Sequence, residues 1–449
     1  MSVRSPEITA DSMQERASQL LERTRRRTLD LIEPLSEQAL NAVHDPLMSP
    51  IVWDLGHIAN FEELWIVQNA GGQRPLREEL GTVYDPFTAP RRERGGLAYL
   101  PSEECFAYMD AVRERSLACI EQADLSDESN PLLAGGYIFD LVARHEQQHS
   151  ETILQTLQIM TTEAYEPERR IDFPAAGKAS TEMMLVDGGP FELGASGDWF
   201  AYDNERPQHV RELAPFWIDV LPVTNGEMQV FVEDRGYQRR EYWSEPGWQW
   251  KLSKQVELPG YWQRESGGVF VRSFGRLEPL DPNLPVCHVS WYEADAYARY
   301  AGKRLPSEAE WEKAASWDEP HGTKRRYPWG DDRPSPARAN LDQLAFGAAP
   351  AGSYGEHAGP YGVQQLLGDV WEWTSSGFDA YDGFRPFPYP EYSEPFFGGP
   401  FRVLKGGSWA TQPDAVTTSF RNWDYPERRQ IFAGFRCARD ADAADEGGS

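Results

Sequence analysis

The chain is poor in positive charge. Its 449 residues hold 44 lysines and arginines against 71 aspartates and glutamates, which gives a formal net charge of −27 at pH 7. Proteins that bind nucleic acid need a clustered basic surface facing the phosphates, so this composition argues against a nucleic-acid partner. One basic run, RTRRR at residues 23–27, falls on a predicted helix, and we interpret it as a solvated helix face.

Cysteines and long apolar runs are also scarce. The four cysteines, Cys105, Cys119, Cys287 and Cys437, are far apart and form no Cys-x-x-Cys pair, so we expect neither a disulfide framework nor a thiolate zinc site. They are typical of buried thiols in a reducing compartment. No apolar run approaches the ~18 residues of a membrane span, and the polar N-terminus lacks the apolar segment of a secretory signal. The sequence predicts a cytoplasmic protein without a membrane partner and leaves its oligomeric state open.

The first third of the chain has a helical pattern. Apolar residues recur at spacings of three and four in SMQERASQLLERTRRRTLDLI, SPIVWDLGHIANFEELWIVQ, PSEECFAYMDAVRERSLACIEQ and YIFDLVARHEQQHSETILQTLQIM. Four amphipathic helices in succession predict a four-helix bundle, a fold whose core often holds metal ligands on facing helices. In the second segment, Ser49 is the predicted N-cap and Pro50 the first helical residue.

The rest of the chain has a different texture. After a linker at residues 166–181 come short alternating pieces, many glycines and prolines, and most of the 16 tryptophans. Helical periodicity returns only in TNGEMQVFVEDRG and SWYEADAYARYAGKRLPSEAEWEKAA. This mixture predicts an α+β domain with much irregular structure.

Three histidines in the helical region suggest a metal site. His145 and His149 are four residues apart, so they share one face of the fourth predicted helix. His57 lies on the second predicted helix, and an imidazole from another helix can complete a three-nitrogen site with open positions. Such a pair can also lie on a surface, His57 can be a core histidine, and composition does not choose iron over zinc.

The strings GGPFELG, RLPSEAEWEKAA, YPWGDD, GDVWEWTSS, VLKGGSW and GFRCARD follow one another in the second half. In this order they resemble the formylglycine-generating-enzyme-like fold, which is related to C-type lectins. The resemblance covers about residues 182–440 and implies the fold but not the activity. Formylglycine-generating enzymes hold copper with a cysteine pair, and the matching stretch TTSFRNWDYPERRQIFAGFR has no cysteine, so we do not expect that chemistry.

The strings DPLMSPIVWDLGHI and HEQQHSET of the first half resemble DinB-like bundles, which carry a three-histidine metal site. A DinB-like bundle at residues 12–168 followed by this second domain at 182–440 is similar to the ergothioneine-biosynthesis sulfoxide synthases, or hercynine oxygenases. That resemblance implies a multidomain α and α+β protein with iron(II) bound by His57, His145 and His149. It also implies O2-dependent joining of the sulfur of γ-glutamylcysteine to C2 of the imidazole of hercynine, with formation of a sulfoxide.

The same resemblance assigns residues to hercynine, which carries a trimethylammonium group and a carboxylate. Gln148, directly before a predicted ligand, and Asn422 with Trp423 in FRNWDYP match the hercynine-binding positions of the family. A quaternary ammonium group favours aromatic faces, which suits a tryptophan.

Further positions match those that bind γ-glutamylcysteine, which has two carboxylates and one ammonium group. Arg91 and Arg94, in the loop APRRERGG, are spaced as in family members that use this thiol, and Asp424 matches the acidic partner. Planar guanidinium groups bind carboxylates in a bidentate way. The resemblance further implies that Tyr389 is the proton-donating catalytic tyrosine and that Tyr392 contacts substrate or water.

Other interpretations remain open at this point. Relatives with the same chemistry use cysteine or another sulfur or selenium donor. A DinB-type thiol transferase would use zinc, without O2 or a proton-donating tyrosine. A ligand-binding module without catalysis would fit the second domain, but it would leave the three histidines unexplained.

Overall fold

The computed structural model describes residues 10–168, 171–177, 181–197 and 199–441. The chain divides between Glu166 and Pro167 into two compact units. The predicted domain limits, 12–168 and 182–440, stay predictions. The polar segment at residues 1–9, which entered the prediction of a cytoplasmic protein, lies outside the described residues.

The first unit is the predicted helical bundle. Its α-helices are α1 (Ala10–Ile32), α2 (Glu37–Asn41), α3 (Ile51–Glu62), α4 (Leu80–Val83), α5 (Ser102–Gln122) and α6 (Tyr137–Ile159). Helix α1 packs against α6 and α3 packs against α5, while α3 also contacts α6 and α1 contacts α5. The four long helices therefore enclose one core, in which large side chains such as Trp53 are fully buried. This arrangement confirms the predicted bundle.

The structure corrects the predicted start of the second long helix. Pro50 is the N-cap residue and makes no side-chain cap bond, so Ser49 is not the cap. The hydroxyl of Ser49 instead accepts a hydrogen bond from the Arg94 guanidinium at 2.9 Å. Helix α3 then continues as a π-helix at Glu63–Ala70, and the loop with Arg94 folds as a 3-10 helix at Arg91–Gly96.

The predicted solvated face at residues 23–27 is wrong for part of the run. Arg23 and Arg26 are exposed, but Arg25 and Arg27 are buried. Four consecutive residues of a helix point in four directions, so a dense basic run on a bundle helix must send some side chains inward. The Arg25 side chain is buried among acidic side chains of α3 and α6.

The second unit is the predicted α+β domain, with short elements and long irregular connections. Its helices are α7 (Asn225–Glu233), α8 (Glu245–Lys254), α9 (Trp291–Tyr300) and α10 (Glu308–Ser316). Its strands are β1 (Met183–Val186), β2 (Gly189–Leu193), β3 (His209–Leu213), β4 (Phe216–Asp219), β5 (Trp262–Glu265), β6 (Gly268–Ser273), β7 (Arg276–Pro279), β8 (Trp317–Asp318), β9 (Thr323–Lys324), β10 (Trp371–Gly377), β11 (Arg402–Lys405), β12 (Asn422–Asp424), β13 (Ala433–Gly434) and β14 (Ala438–Asp440).

The strands form small sheets. The order β12-β11-β10-β13 makes one sheet, in which β10 and β13 are parallel and the other pairs antiparallel. A second sheet has the order β1-β4-β14, a third has the order β5-β6-β7, and β2-β3 and β8-β9 are two-stranded. Strand β12 is an edge strand, and it carries three predicted substrate-binding residues, Asn422, Trp423 and Asp424.

Reciprocal capping explains where the predicted helices of this unit begin. Thr224, Ser290 and Ser307 each accept a hydrogen bond from the backbone three residues on, and a glutamate at that position bonds back to the cap. Helix α8 was not predicted, because its sequence EPGWQWKLSK shows little helical periodicity. Its start is nevertheless fixed by Ser244, whose side chain caps Gly247.

Buried tryptophans and thiols complete the interior. Trp311, Trp371, Trp373 and Trp409 are all buried in the core. The four cysteines are free, and Cys287 alone among them is only partly buried. Within the described part of the chain, no helix combines the length and apolar character needed to cross a bilayer.

Candidate metal centre and flanking residues

Helices α3 and α6 bring the three predicted ligands together. Each of the three residues His57, His145 and His149 offers a ring nitrogen, and these nitrogens lie within 4.8 Å of one another. Among the described residues, this is the only group of potential metal ligands that are so close together. The three ring centroids are 4.7 to 4.9 Å apart. The Nε2 atoms of His57 and His145 face each other at 3.1 Å. The predicted triad is thus a real cluster that could hold a metal ion.

The opposite nitrogen of His57 is fixed by the backbone. Its Nδ1 lies 2.7 Å from the carbonyl oxygen of Tyr84. Nδ1 therefore carries the proton and donates a hydrogen bond to this carbonyl, and Nε2 keeps the free electron pair. The Tyr84 ring packs directly over Gly56, where an added Cβ would lie 2.2 Å from a ring carbon. Glycine before His57 therefore allows the close approach that brings the Tyr84 carbonyl to the imidazole.

Burial keeps two of the three imidazoles, His57 and His145, uncharged. Desolvation is the main reason why the pKa of His57 falls to about 3, and the neighbouring His149 lowers it further. Desolvation also holds the pKa of His145 well below its ordinary value, with added repulsion from His149 and His57. Metal ions bind the neutral imidazole, so His57 and His145 fit a divalent cation without first losing protons.

Aromatic rings stack on the faces of two of the imidazoles. Trp53, one turn before His57 on α3, stacks on it with an interplanar angle of 10° and centroids 5.2 Å apart. Phe61 stacks on His145 at 3.7 Å. These contacts fix the planes of both rings and keep water from one side of each.

The arginines predicted to bind the thiol substrate lie on the 3-10 helix at Arg91–Gly96. Arg91 is exposed, and its Nη1 donates to the carbonyl of Leu47 at 3.2 Å. Arg94 is only 5% exposed, lies 3.7 Å above the Trp53 ring, and donates from Nε to Ala89 and from Nη1 to Ser49. Since Trp53 stacks on His57, the structure connects Arg94 to the triad through one ring.

Gln148 lies on α6 directly before His149 and is half-buried. Its neighbour Gln147 points into the bundle, where its amide donates to Thr24. The helix turns about 100° per residue, so Gln148 and Gln147 cannot share a direction. Gln148 follows His145 by three residues and precedes His149 by one, so its position on α6 is nearer to the face of the two histidines than that of Gln147.

In the second unit, the two predicted tyrosines and Trp423 form one aromatic group. The rings of Tyr389 and Tyr392 are 6.1 Å apart, and those of Tyr392 and Trp423 are 6.0 Å apart. Trp423 stacks on Phe378 at 4.0 Å, and Tyr392 stacks on Tyr202 at 4.7 Å. The structure thus brings together residues that are more than thirty positions apart in the sequence.

Asn422 and Asp424 flank Trp423 on β12. The side-chain oxygen of Asn422 accepts from the Trp423 amide at 2.9 Å, and Oδ1 of Asp424 accepts from the Tyr425 amide at 2.7 Å. Oδ1 of Asp424 also lies 3.4 Å from Nε of Arg428, four residues further on in the sequence. Residues alternate in direction along a strand, so Asn422 and Asp424 lie on the face opposite Trp423.

Comparison with known proteins identifies the family. A family model described as the DinB superfamily matches residues 20–153, and one described as a Sulfatase-modifying factor enzyme 1-like domain matches residues 170–441. The hercynine oxygenase of Mycolicibacterium thermoresistibile is 42% identical over 436 residues, covering 95% of this chain and 95% of that protein. That of Mycolicibacterium smegmatis is 44% identical over 426 residues, covering 93% and 96%. The chain belongs to the hercynine oxygenase family.

The predicted family and fold class are therefore confirmed. The formylglycine-generating enzyme of Streptomyces coelicolor is 34% identical over 302 residues, covering 60% of this chain and 93% of that protein. This similarity covers nearly all of the formylglycine-generating enzyme but only 60% of this chain. That difference fits a hercynine oxygenase built from two domains.

Sequence reasoning missed one buried residue beside the triad of this hercynine oxygenase family member. Asp54 is 1% exposed, and its Oδ1 lies 3.5 Å from Nδ1 of His149. A sequence signal was available, because Asp54 precedes His57 by three residues and so shares its face of α3. The backbone carbonyl of Tyr84 had no such signal, since any residue type can supply it.

Proposed function

We propose that this protein joins the sulfur of γ-glutamylcysteine to C2 of the imidazole of hercynine, using O2 and iron(II), in ergothioneine biosynthesis. The thiol S–H and the imidazole C2–H bonds break, and a C–S bond and an S–O bond form. One oxygen atom ends in the sulfoxide and the other in water with the two hydrogens. The four electrons that reduce O2 come from forming the C–S bond and from oxidising the sulfur.

One observation carries the proposal: three imidazoles from two helices converge in a chain that belongs to the hercynine oxygenase family. Three neutral nitrogen ligands fit a divalent ion and leave it doubly charged. Iron(II) held in this way would supply positions for a thiolate, an imidazole nitrogen and O2. The assignment of iron rather than zinc rests on family membership, because the donor set suits both metals.

Residues of the first unit are proposed to bind and orient the substrates. Arg91 and Arg94 receive carboxylates of γ-glutamylcysteine, and Gln148 contacts hercynine. Among the described residues, Nη2 of Arg94 has no hydrogen-bond partner, while Nε and Nη1 are engaged with Ala89 and Ser49. These two bonds and the Trp53 ring hold the guanidinium in place, so Nη2 needs little further ordering to meet an anion.

Residues of the second unit have complementary proposed roles. Trp423 and Asn422 contact hercynine, and Asp424 receives the ammonium group of the thiol substrate. Trp423 is held between Phe378 and Tyr392, so its ring is rigid before any ligand binds. Tyr389 donates a proton toward the oxygen that leaves as water, and Tyr392 contacts substrate or water. A phenol is neutral at pH 7 and can donate without first gaining a proton.

Product identification tests the proposed function. The protein is incubated with hercynine, iron(II), O2 and equimolar γ-glutamylcysteine and cysteine, and the products are separated by mass. We expect the S-oxide conjugate of hercynine and γ-glutamylcysteine, with oxygen uptake only when both organic substrates are present. A preference for cysteine would overturn the donor assignment. Activity that needs zinc and no O2 would support a thiol transferase instead.

A further inference from the structure

A buried carboxylate in the first unit lacks the hydrogen bonds that burial ordinarily requires. Asp54 lies on α3 and is 1% exposed, yet neither of its oxygens makes a hydrogen bond within ordinary limits to any other described residue. Leaving a buried charged group without partners costs several kcal/mol, as a rough figure. The groups around Asp54 should therefore explain why this carboxylate is buried.

A nitrogen of a predicted metal ligand lies close to Asp54. Its Oδ1 lies 3.5 Å from Nδ1 of His149 across the α3–α6 contact. That separation is about 0.6 Å longer than a typical charge-assisted N–H···O bond, so a small shift of either side chain closes it. Arg91 and Arg94 are the other charged side chains that act on this carboxylate.

The neighbouring arginines do not donate hydrogen bonds to the Asp54 carboxylate. Arg94 donates to Ser49 and Ala89, and Arg91 donates to the Leu47 carbonyl. They contribute charge to the surroundings of Asp54 without occupying its oxygens. The acceptor capacity of Asp54 is therefore open toward His149.

We propose that Asp54 is a positioning residue that orients His149 by accepting a hydrogen bond from its Nδ1–H, so that Nε2 faces the metal. His57 is held in the same way by a backbone carbonyl, at 2.7 Å from its Nδ1. A carboxylate does more than a carbonyl, because its negative charge also makes the imidazole a stronger electron donor. In the triad, His57 thus donates to a neutral backbone carbonyl, and His149 donates to a carboxylate.

This inference rests on the metal role of the triad in the proposed function, and metal affinity tests it without turnover. Metal-free full-length protein is titrated with Co²⁺, followed by the visible spectrum and by competition with a chelator. For Asp54→Ala we expect a loss of affinity of about 10- to 100-fold. Asp54→Asn keeps the shape and an acceptor oxygen but loses the charge, so we expect a smaller loss and a shifted spectrum at saturation.

Glu63→Gln is the matched control, because Glu63 is also fully buried but is bonded to Tyr108, Arg115 and the Leu76 amide. We expect it to bind Co²⁺ like the parent protein even if its melting temperature falls. The inference is overturned if Asp54→Asn matches the parent in both affinity and spectrum. It is also overturned if Glu63→Gln loses as much affinity as the Asp54 variants.

Metal binding by the parent protein and the role of Asp54 can fail separately. If the parent protein binds neither Co²⁺ nor anaerobic Fe²⁺, the metal-dependent function falls and takes this inference with it. If the parent binds both ions and the Asp54 variants bind equally well, only the role of Asp54 falls.

Discussion

The most demanding prediction concerns four buried charges in the bundle core. Arg25 of α1 and Arg113 of α5 lie between Glu62 of α3 and Glu146 of α6, with contacts of 2.7 to 3.4 Å. Both glutamates and both arginines are at most 10% exposed. The two positive and two negative charges cancel, so the quartet is neutral as a unit.

Replacing Arg113 by methionine should strongly destabilise the bundle. Arg113 donates from Nε to Glu62 at 2.7 Å and from Nη2 to Glu62 and Glu146, so its loss leaves one buried negative charge uncompensated. Removing one partner of a buried ion pair costs about 3–5 kcal/mol. In the double variant Arg113→Met with Glu62→Gln the charge count balances again. We expect the double variant to be clearly more stable than the sum of the two single effects predicts.

Unfolding of the full chain in urea, followed by the helical signal at 222 nm, compares Arg113→Met, Glu62→Gln and the double variant with the parent. Arg77→Met is the surface control, because its ion pairs with Glu79 and Glu104 are exposed, and it should leave the transition unchanged. The pKa of Glu62 is lowered, since the pull of Arg113 and Arg25 outweighs the effect of burial. Its stabilising effect is therefore present above its unfolded pKa and lost as the pH falls through the lower folded value. Additive effects of the two substitutions, or an Arg113→Met variant as stable as the control, would refute this account.

Three further predictions concern the site. Arg91→Ala should raise KM for γ-glutamylcysteine far more than for cysteine, since cysteine lacks the γ-glutamyl carboxylate; equal changes in steady-state kinetics would remove Arg91 from substrate binding. Tyr389→Phe should slow sulfoxide formation and divert turnover toward simple thiol oxidation, and unchanged product ratios by mass spectrometry would count against a proton-donating role. Gly56→Ala should weaken Co²⁺ binding, because the new Cβ displaces the Tyr84 ring and with it the carbonyl bonded to His57. Unaltered affinity in that variant would show that the Tyr84 carbonyl is dispensable.

The sequence was most informative where a period or a motif repeats. The long helices of the bundle follow from apolar spacing, and the starts of α7, α9 and α10 follow from serine or threonine three residues before glutamate. Helix α3 shows the limit. Ser49 satisfies the local preference for an N-cap, but its hydroxyl is used by Arg94, a residue 45 positions away. Local preference cannot anticipate such a long-range competitor.

Charge was harder to interpret than hydrophobicity. The composition of RTRRR predicts a solvated helix face. Arg25 is nevertheless buried, because its guanidinium forms ion pairs with Glu62 and Glu146 in the bundle core. Those two glutamates look like ordinary surface charges in their own helices. Only the packing of α1 on α6 and the contact of α3 with α6 makes the three residues neighbours, and no single segment carries that information.

The same two helices carry both the ligands and the quartet, and this limits how the ligands can move. Glu146 directly follows His145 on α6, and Glu62 lies five residues after His57 on α3. Because Arg25 bonds to Glu62 and Glu146 at once, it ties the registers of α3 and α6 to each other. A slide of one helix along the other would break charged contacts in the core before it separated the imidazoles. The buried charges thus make the distance between His57 and His145 a property of the whole bundle rather than of the site alone.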